Sequence, residues 1–244
     1  MSRGRALRPG WRFAAPRIPR VTRTDTRLSA ALGAHPSAVL LGAQLFVVLA
    51  YPFLDSVAGR VVLGVLQPGI VLLAVYAVRS TTALTWVALV FGLPAIVFSV
   101  LEVVRPGDGW VIVGSAVAHV PFYLFVSYAM IRYLFADDRV TRDELYATGA
   151  AFTVVAWGFA YLYAAAQVIW PGSFIGAGGP GDRSWFDLLF LSFTTLTSVG
   201  LSDIMPVLPH ARSLVIVEQV AGVLYIALVV ARLVGLTVVG KRHS

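Results

Sequence analysis

The sequence predicts an all-α membrane protein: six transmembrane helices, with a short re-entrant helix and loop between the fifth and sixth. Three observations carry this. Hydrophobic residues fill 58% of the 244 positions, charged residues only 13%, and mean hydropathy is +0.82, far outside an ordinary soluble domain. The apolar residues gather in runs near the roughly 20 residues a helix needs to cross a bilayer. Between the last two runs, at about 143–170 and 212–239, the chain turns apolar again over 186–196 without a further crossing. Irregular backbone at membrane depth survives only where protein or a water-filled cavity surrounds it, so the turn at 197–203 is expected to line an aqueous path.

The first 27 residues carry eight arginines and one acid, Asp25, which accounts for most of the +7 net charge. Interspersed Pro, Gly, Ser and Thr leave nothing to bury, so 1–30 is expected to be a disordered cytoplasmic tail. Its charge orients the chain, because cytoplasmic flanks are enriched in Arg and Lys. No apolar core follows early enough for a secretory signal. Cysteine is absent, which excludes disulfides and thiolate metal sites.

The first span is expected at 37–54, the second at 61–78 with a kink near Gln67-Pro68-Gly69, the third at 82–104 with Gly92 and Pro94 inside it. Pro106-Gly107-Asp108-Gly109 makes a turn into the fourth span, 110–135, which holds His119 and Pro121. A charged connector, 136–144, leads to the fifth span. There Tyr146, Tyr161, Tyr163 and Trp170 suit interfacial positions. A Gly-rich surface loop over 173–181 precedes the pore helix, and the sixth span covers 212–240. Only four residues follow it, so no C-terminal ligand-binding domain is expected. Six spans place Arg79, Arg132, Arg139, Arg142, Lys241 and Arg242 inside and Arg60, Arg105, Arg183 and Arg212 outside, with both termini cytoplasmic. The domains expected are thus the tail, a four-helix membrane domain over 31–142, and a pore domain over 143–244.

Ser184 with Asp187 three residues on reads as a capping box opening the pore helix. A helix ending mid-membrane directs its partial negative charge to the protein's centre, where it favours a cation. Hydroxyls, backbone carbonyls and a glycine follow directly over 197–202.

The run Thr194-Thr195-Leu196-Thr197-Ser198-Val199-Gly200-Leu201-Ser202-Asp203-Ile204-Met205-Pro206 resembles the pore signature of potassium channels, and Arg212 and Gly222 fall at that family's spacing from the filter. The resemblance covers about 185–240. It implies a homotetramer with one pore loop per chain, in which backbone carbonyls replace the hydration shell of a monovalent cation, potassium foremost. Thr197, Ser198, Val199, Gly200, Leu201, Ser202 and Asp203 then form the filter. Ser198 supplies the innermost hydroxyl and Asp203 lies behind the outer mouth. Thr194, Thr195, Phe190 and Glu218 support the filter.

Two positions depart from the family, which usually has an aromatic at Leu201 and glycine at Ser202. Phe190 and Leu191 stand where tryptophan partners of that aromatic usually lie, so apolar packing is expected to replace hydrogen bonding. If Ser202 adopts left-handed backbone, it costs about 1–2 kcal/mol per subunit. The alternative is a different outer-filter conformation, with the Ser202 hydroxyl turned to the ion.

Val223, Ile226, Val230 and Val234 share one helical face; by resemblance they line the inner cavity, with Gly222 as a bend or a close packing point. Glu218, an ionisable residue within a span, is expected to brace Thr194, Thr195 or Ser198 rather than sense pH. Arg232 is expected to anchor by snorkelling. A voltage sensor needs repeated arginines within one span, and the fourth span has none before Arg132. His119 reads as a packed histidine. No metal-ligand spacing, nucleophile–base pair or phosphate loop appears, and neither enzyme, cofactor nor nucleic-acid partner is expected. The reading is a tetrameric potassium-channel-like cation channel in a prokaryotic plasma membrane. The alternatives are a weakly selective cation channel and a non-conducting scaffold or transporter subunit.

Overall fold

The computed structural model describes residues 35–54, 57–78, 82–135, 141–179 and 181–242. The Arg-rich tail lies outside the described residues, as do Arg79 and Arg139 of the topology count. The elements are α1 (Pro36–Ala50) with a short 3-10 turn (Tyr51–Phe53), α2 (Val57–Val78), α3 (Thr82–Val104), α4 (Gly109–Leu134), α5 (Arg142–Ile169), β1 (Phe174–Ile175), α6 (Trp185–Leu196), β2 (Met205–Pro206) and α7 (Pro209–Arg242). Pro68, Pro94 and Pro121 all lie within continuous helices.

Four stretches are long and apolar enough to cross a membrane: Pro36–Phe53, Gly109–Leu134, Arg142–Ile169 and Pro209–Arg232. Shorter apolar stretches occupy Leu66–Ala77, Leu89–Val104 and Trp185–Leu196. Four is therefore the number of spanning-length helices among the described residues.

Helix α5 is the hub on which α1, α4, α6 and α7 pack. Between helices in lipid there is little hydrophobic drive, so small residues that permit close approach and polar groups that bond across the gap decide the packing. Helix α5 has both. Ala147, Ala150, Ala151, Ala156 and Ala160 are buried along it, beside the fully buried Trp157. Its start is a capping box: the Thr141 amide donates to Glu144 Oε2 at 2.9 Å and the Glu144 amide to Thr141 Oγ1 at 3.3 Å. Asp143 in the same turn accepts from the Ser37 amide at 3.2 Å and the Ser37 hydroxyl at 2.9 Å, satisfying the otherwise open N-terminus of α1.

The interfacial placement expected for Tyr161 and Tyr163 is overturned, since both are buried in the bundle. Tyr161 stacks on His119, with centroids 4.2 Å apart and planes 6° from parallel, and its hydroxyl donates to Gln67 Oε1 at 3.3 Å. His119 is packed as expected. Its Nδ1–H donates to the Ser115 carbonyl at 2.9 Å, and Nε2 meets the Ser99 hydroxyl at 3.1 Å. A tyrosine near a helix end suits an interface only if no neighbour offers a polar partner at depth; here α2, through Gln67, and α7, through Glu218, do.

The Gly-rich surface loop contains a two-residue strand. Phe174 pairs with Pro206 and Ile175 with Met205, antiparallel, and the Val207 amide donates to the Ser173 carbonyl at 2.9 Å. This ties the chain leaving α5 to the chain entering α7, on either side of α6.

Candidate functional site

Helix α6 starts on the expected capping box: the Ser184 amide donates to Asp187 Oδ2 at 3.0 Å and the Asp187 amide to Ser184 Oγ at 3.2 Å. Its far end carries the site. The Ser198 amide donates to the Thr195 carbonyl at 2.9 Å, and the Val199 and Gly200 amides both donate to the Thr194 carbonyl at 3.0 Å. In a trans peptide the carbonyl points opposite to the N–H of the next residue. The carbonyls of Thr197, Ser198 and Val199 are therefore all turned away from the end of α6, in one direction.

The dihedral angles explain how a short chain achieves this. Ser198 has φ 58° and Gly200 φ 69°, both left-handed, with Val199 between them at negative φ. Such alternation gathers successive amides into one concavity and throws their carbonyls to the other side. At Gly200 the conformation is unstrained. At Ser198 a side-chain-bearing residue sits in the left-handed region at a cost of about 1–2 kcal/mol. Ser198→Gly is thus expected to raise stability by about 1 kcal/mol per chain, read as a higher thermal midpoint, while removing the hydroxyl at the inner end.

Of the two alternatives open for Ser202, left-handed backbone is not the one found, and the left-handed residue with a side chain is Ser198. Ser202 has no positive φ, and its hydroxyl accepts from the Ile204 amide at 3.0 Å. The outer part of the loop thus takes another course, with that hydroxyl committed to its own turn rather than to an ion. Thr197 donates through Oγ1 to the Phe193 carbonyl at 2.7 Å and Thr194 through Oγ1 to Leu191 at 2.9 Å, closing the last turn of α6. Thr197, Val199, Leu201 and Asp203 are exposed in the single chain, Leu201 at 76%. Phe190 is exposed and Leu191 buried, so the two positions expected to back Leu201 face different ways.

Glu218 is fully buried, with no basic group at ion-pair distance among the described residues. Its carboxyl accepts hydrogen bonds from the hydroxyls of Tyr163 on α5 and Ser192 on α6. Ser192 also lies 2.8 Å from the Ala156 carbonyl. Glu218 therefore joins α5, α6 and α7, through Tyr163 and Ser192 and not through the Thr194, Thr195 or Ser198 that the sequence suggested it would brace. Sequence reasoning missed Ser192 and Tyr163. The available signal was a lone serine on an apolar helix face and a carboxyl in a span that must find donors.

Gly222 is buried against the end of α6: a side chain there would overlap the Leu196 carbonyl. That favours close packing over bending, and α7 runs unbroken past it. Val223, Ile226, Val230 and Val234 are all exposed, as are Ile216, Val217, Val220, Leu224 and Leu228, a wider face than the predicted stripe. Gln219 is exposed beside them. At the inner end Arg232 donates from Nε to the Leu134 carbonyl at 3.3 Å and its guanidinium lies 5.3 Å from the Phe135 ring centroid. It ties α7 to the end of α4 instead of standing free.

Fold and site together define an α-helical membrane protein in which a short helix and its loop are held between two long apolar helices, with a row of backbone carbonyls facing outward. Residues 149–238 match the protein family described as Ion channel. The match supports an ion channel, and it bears out the resemblance to potassium-channel pore domains over this segment, extending it back to include most of α5. No curated protein and no solved structure matches the chain.

Proposed function

We propose that the chain assembles as a homotetramer of six-span subunits that conducts monovalent cations, potassium foremost, through a filter of backbone carbonyls. The observation that carries this is the alignment of the Thr197, Ser198 and Val199 carbonyls, fixed by three amide bonds to the end of α6. One chain supplies one wall of such a filter, and a dehydrated cation needs oxygens all round. Four copies about a symmetry axis satisfy it. The apolar face of α7 supports assembly: 17% of its most apolar stretch is buried within the chain, against 72% for α5. In this reading Asp203 stands behind the outer mouth, the α7 valines line the cavity, both termini are cytoplasmic in a plasma membrane, and no arginine sensor gates the pore.

A weakly selective cation channel is the second reading, favoured by one observation. The alternation of backbone hand stops at Gly200, so Leu201 and Ser202 do not continue the carbonyl row in the same geometry.

Cation flux from liposomes holding the purified protein, under potassium and then sodium gradients, tests both. The expected result is flux with potassium ahead of sodium. Equal flux assigns the weakly selective reading. A confirmed tetramer with no flux under any applied potential or pH favours a non-conducting scaffold. Leu201→Tyr combined with Ser202→Gly is expected to raise the potassium-to-sodium permeability ratio, and an unchanged ratio refutes this account of the outer filter.

A further inference from the structure

Where the four-helix half meets the start of α6 there is a cavity of about 300 Å³, the size of a small-molecule site. Its walls include Tyr51 after α1, Glu102 and Arg105 at the end of α3, Tyr161 of α5, and Arg183 and Trp185 at the start of α6. Three features of this wall lack an internal explanation.

Glu102 and Arg183 both line the cavity, yet they are not within ion-pair distance of each other or of any other opposite charge among the described residues. Arg183 is 8% exposed, and its guanidinium donates only to neutral carbonyls, those of Gly179 at 2.7 Å and Gly181 at 2.6 and 3.2 Å. Beside it, the Trp185 indole N–H is buried with no acceptor. Arg105 at the mouth is different, engaged with Asp108 at 3.8 Å. A carboxyl and a guanidinium that line one cavity with no counter-charge at ion-pair distance are costly to keep ionised unless an occupant completes both.

We propose that this cavity binds a small zwitterion carrying an ammonium and an anionic group. The ammonium pairs with Glu102 among the aromatic walls, a setting that suits a cation. The anionic group takes the Arg183 guanidinium and the Trp185 N–H, which sit two residues apart at the start of α6. A ligand bearing one charge completes only half of the site. Tyr51 stacks on Phe186 of α6 at 4.4 Å, so an occupant touches α1, α3 and the pore helix at once. This gives the first four helices a ligand-responsive role. The same chemistry is offered by free phosphoethanolamine and by the headgroup of phosphatidylethanolamine.

The test measures binding, so its outcome is separate from that of the flux assay. The full chain in phosphatidylglycerol nanodiscs is titrated with phosphoethanolamine, with equilibrium binding and the thermal midpoint as readouts. In a second arm the nanodiscs contain phosphatidylethanolamine. Saturable binding that raises the midpoint in the first arm identifies a free zwitterion. A raised midpoint only in the second identifies the lipid headgroup. In either case Glu102→Gln is expected to weaken the effect at least about tenfold. Trp185→Phe, which keeps an aromatic ring and removes only the N–H, is expected to weaken it several-fold and carries the test if Glu102→Gln does not assemble. No effect in either arm overturns the proposal. So does an undiminished effect in folded variants, or ethanolamine or phosphate alone binding as tightly as phosphoethanolamine.

Discussion

Gly222→Ala is expected to abolish ion flux and to lower the thermal midpoint, although alanine is the better helix former. A Cβ at this position would overlap the Leu196 carbonyl oxygen and approach its carbon to 2.8 Å and its Cα to 3.1 Å. These are backbone atoms at the last turn of α6, and no rotamer change moves them. Relief requires α7 to separate from α6, at about 1–3 kcal/mol per chain for overpacking of this kind. Because Thr197 follows Leu196 directly, the same displacement carries the Thr197, Ser198 and Val199 carbonyls, which line the filter in the proposed reading, out of line. Gly42→Ala is the control, since a Cβ there meets nothing within 4 Å. It is expected to leave flux intact and to stabilise by up to about 1 kcal/mol through helix propensity. Unchanged flux and midpoint in Gly222→Ala would refute the close contact as a determinant of the filter.

Glu218→Ala is the second large effect. It leaves the buried hydroxyl of Tyr163 without its acceptor, at about 1–3 kcal/mol, while Ser192 keeps the Ala156 carbonyl, and it opens a cavity between three helices. The protein is expected to unfold at lower temperature. The potassium-to-sodium ratio is expected to fall as well, because Ser192 loses its tie to α7 and lies on the helix whose last turn fixes the Ser198 amide. Glu218→Gln separates shape and bonding from charge. Ser192 has one hydrogen to share between Glu218 and the Ala156 carbonyl, and a glutamine supplies an N–H as well as an acceptor. It is expected to stay within about 1 kcal/mol of the native chain and to retain selectivity. A Gln variant as damaged as the Ala variant would show that the charge, rather than the bonding, is what this position supplies.

Much of the architecture was legible because each signal was local. Runs of apolar residues, the Ser184–Asp187 box and the turn at Pro106-Gly107 act within one helical turn of themselves, so their spacing survives in the sequence. The inner half of the site was legible for a similar reason. Thr194 to Gly200 are close in sequence, and their bonds are to one another. What failed was long-range. Tyr161 and Tyr163 carried the composition of an interface, and only the helices packed around α5 turned them inward. Ser192 and Glu218 are 26 positions apart, with nothing in the intervening pattern to join them.

The sequence by itself determined that this is a helical membrane protein with a short capped helix and a hydroxyl-rich turn before its last helix, because bilayer thickness, capping and backbone preference are read over a few residues at a time. The tertiary structure decided the rest. It placed the left-handed strain on Ser198 and not Ser202, since the Thr194 and Thr195 carbonyls claim the amides that follow. It made Gly222 a packing requirement, since α7 crosses against the end of α6. It enclosed Glu218, Tyr163 and Ser192 together and left Glu102 and Arg183 facing one cavity, because the helices that carry them meet only in the folded bundle.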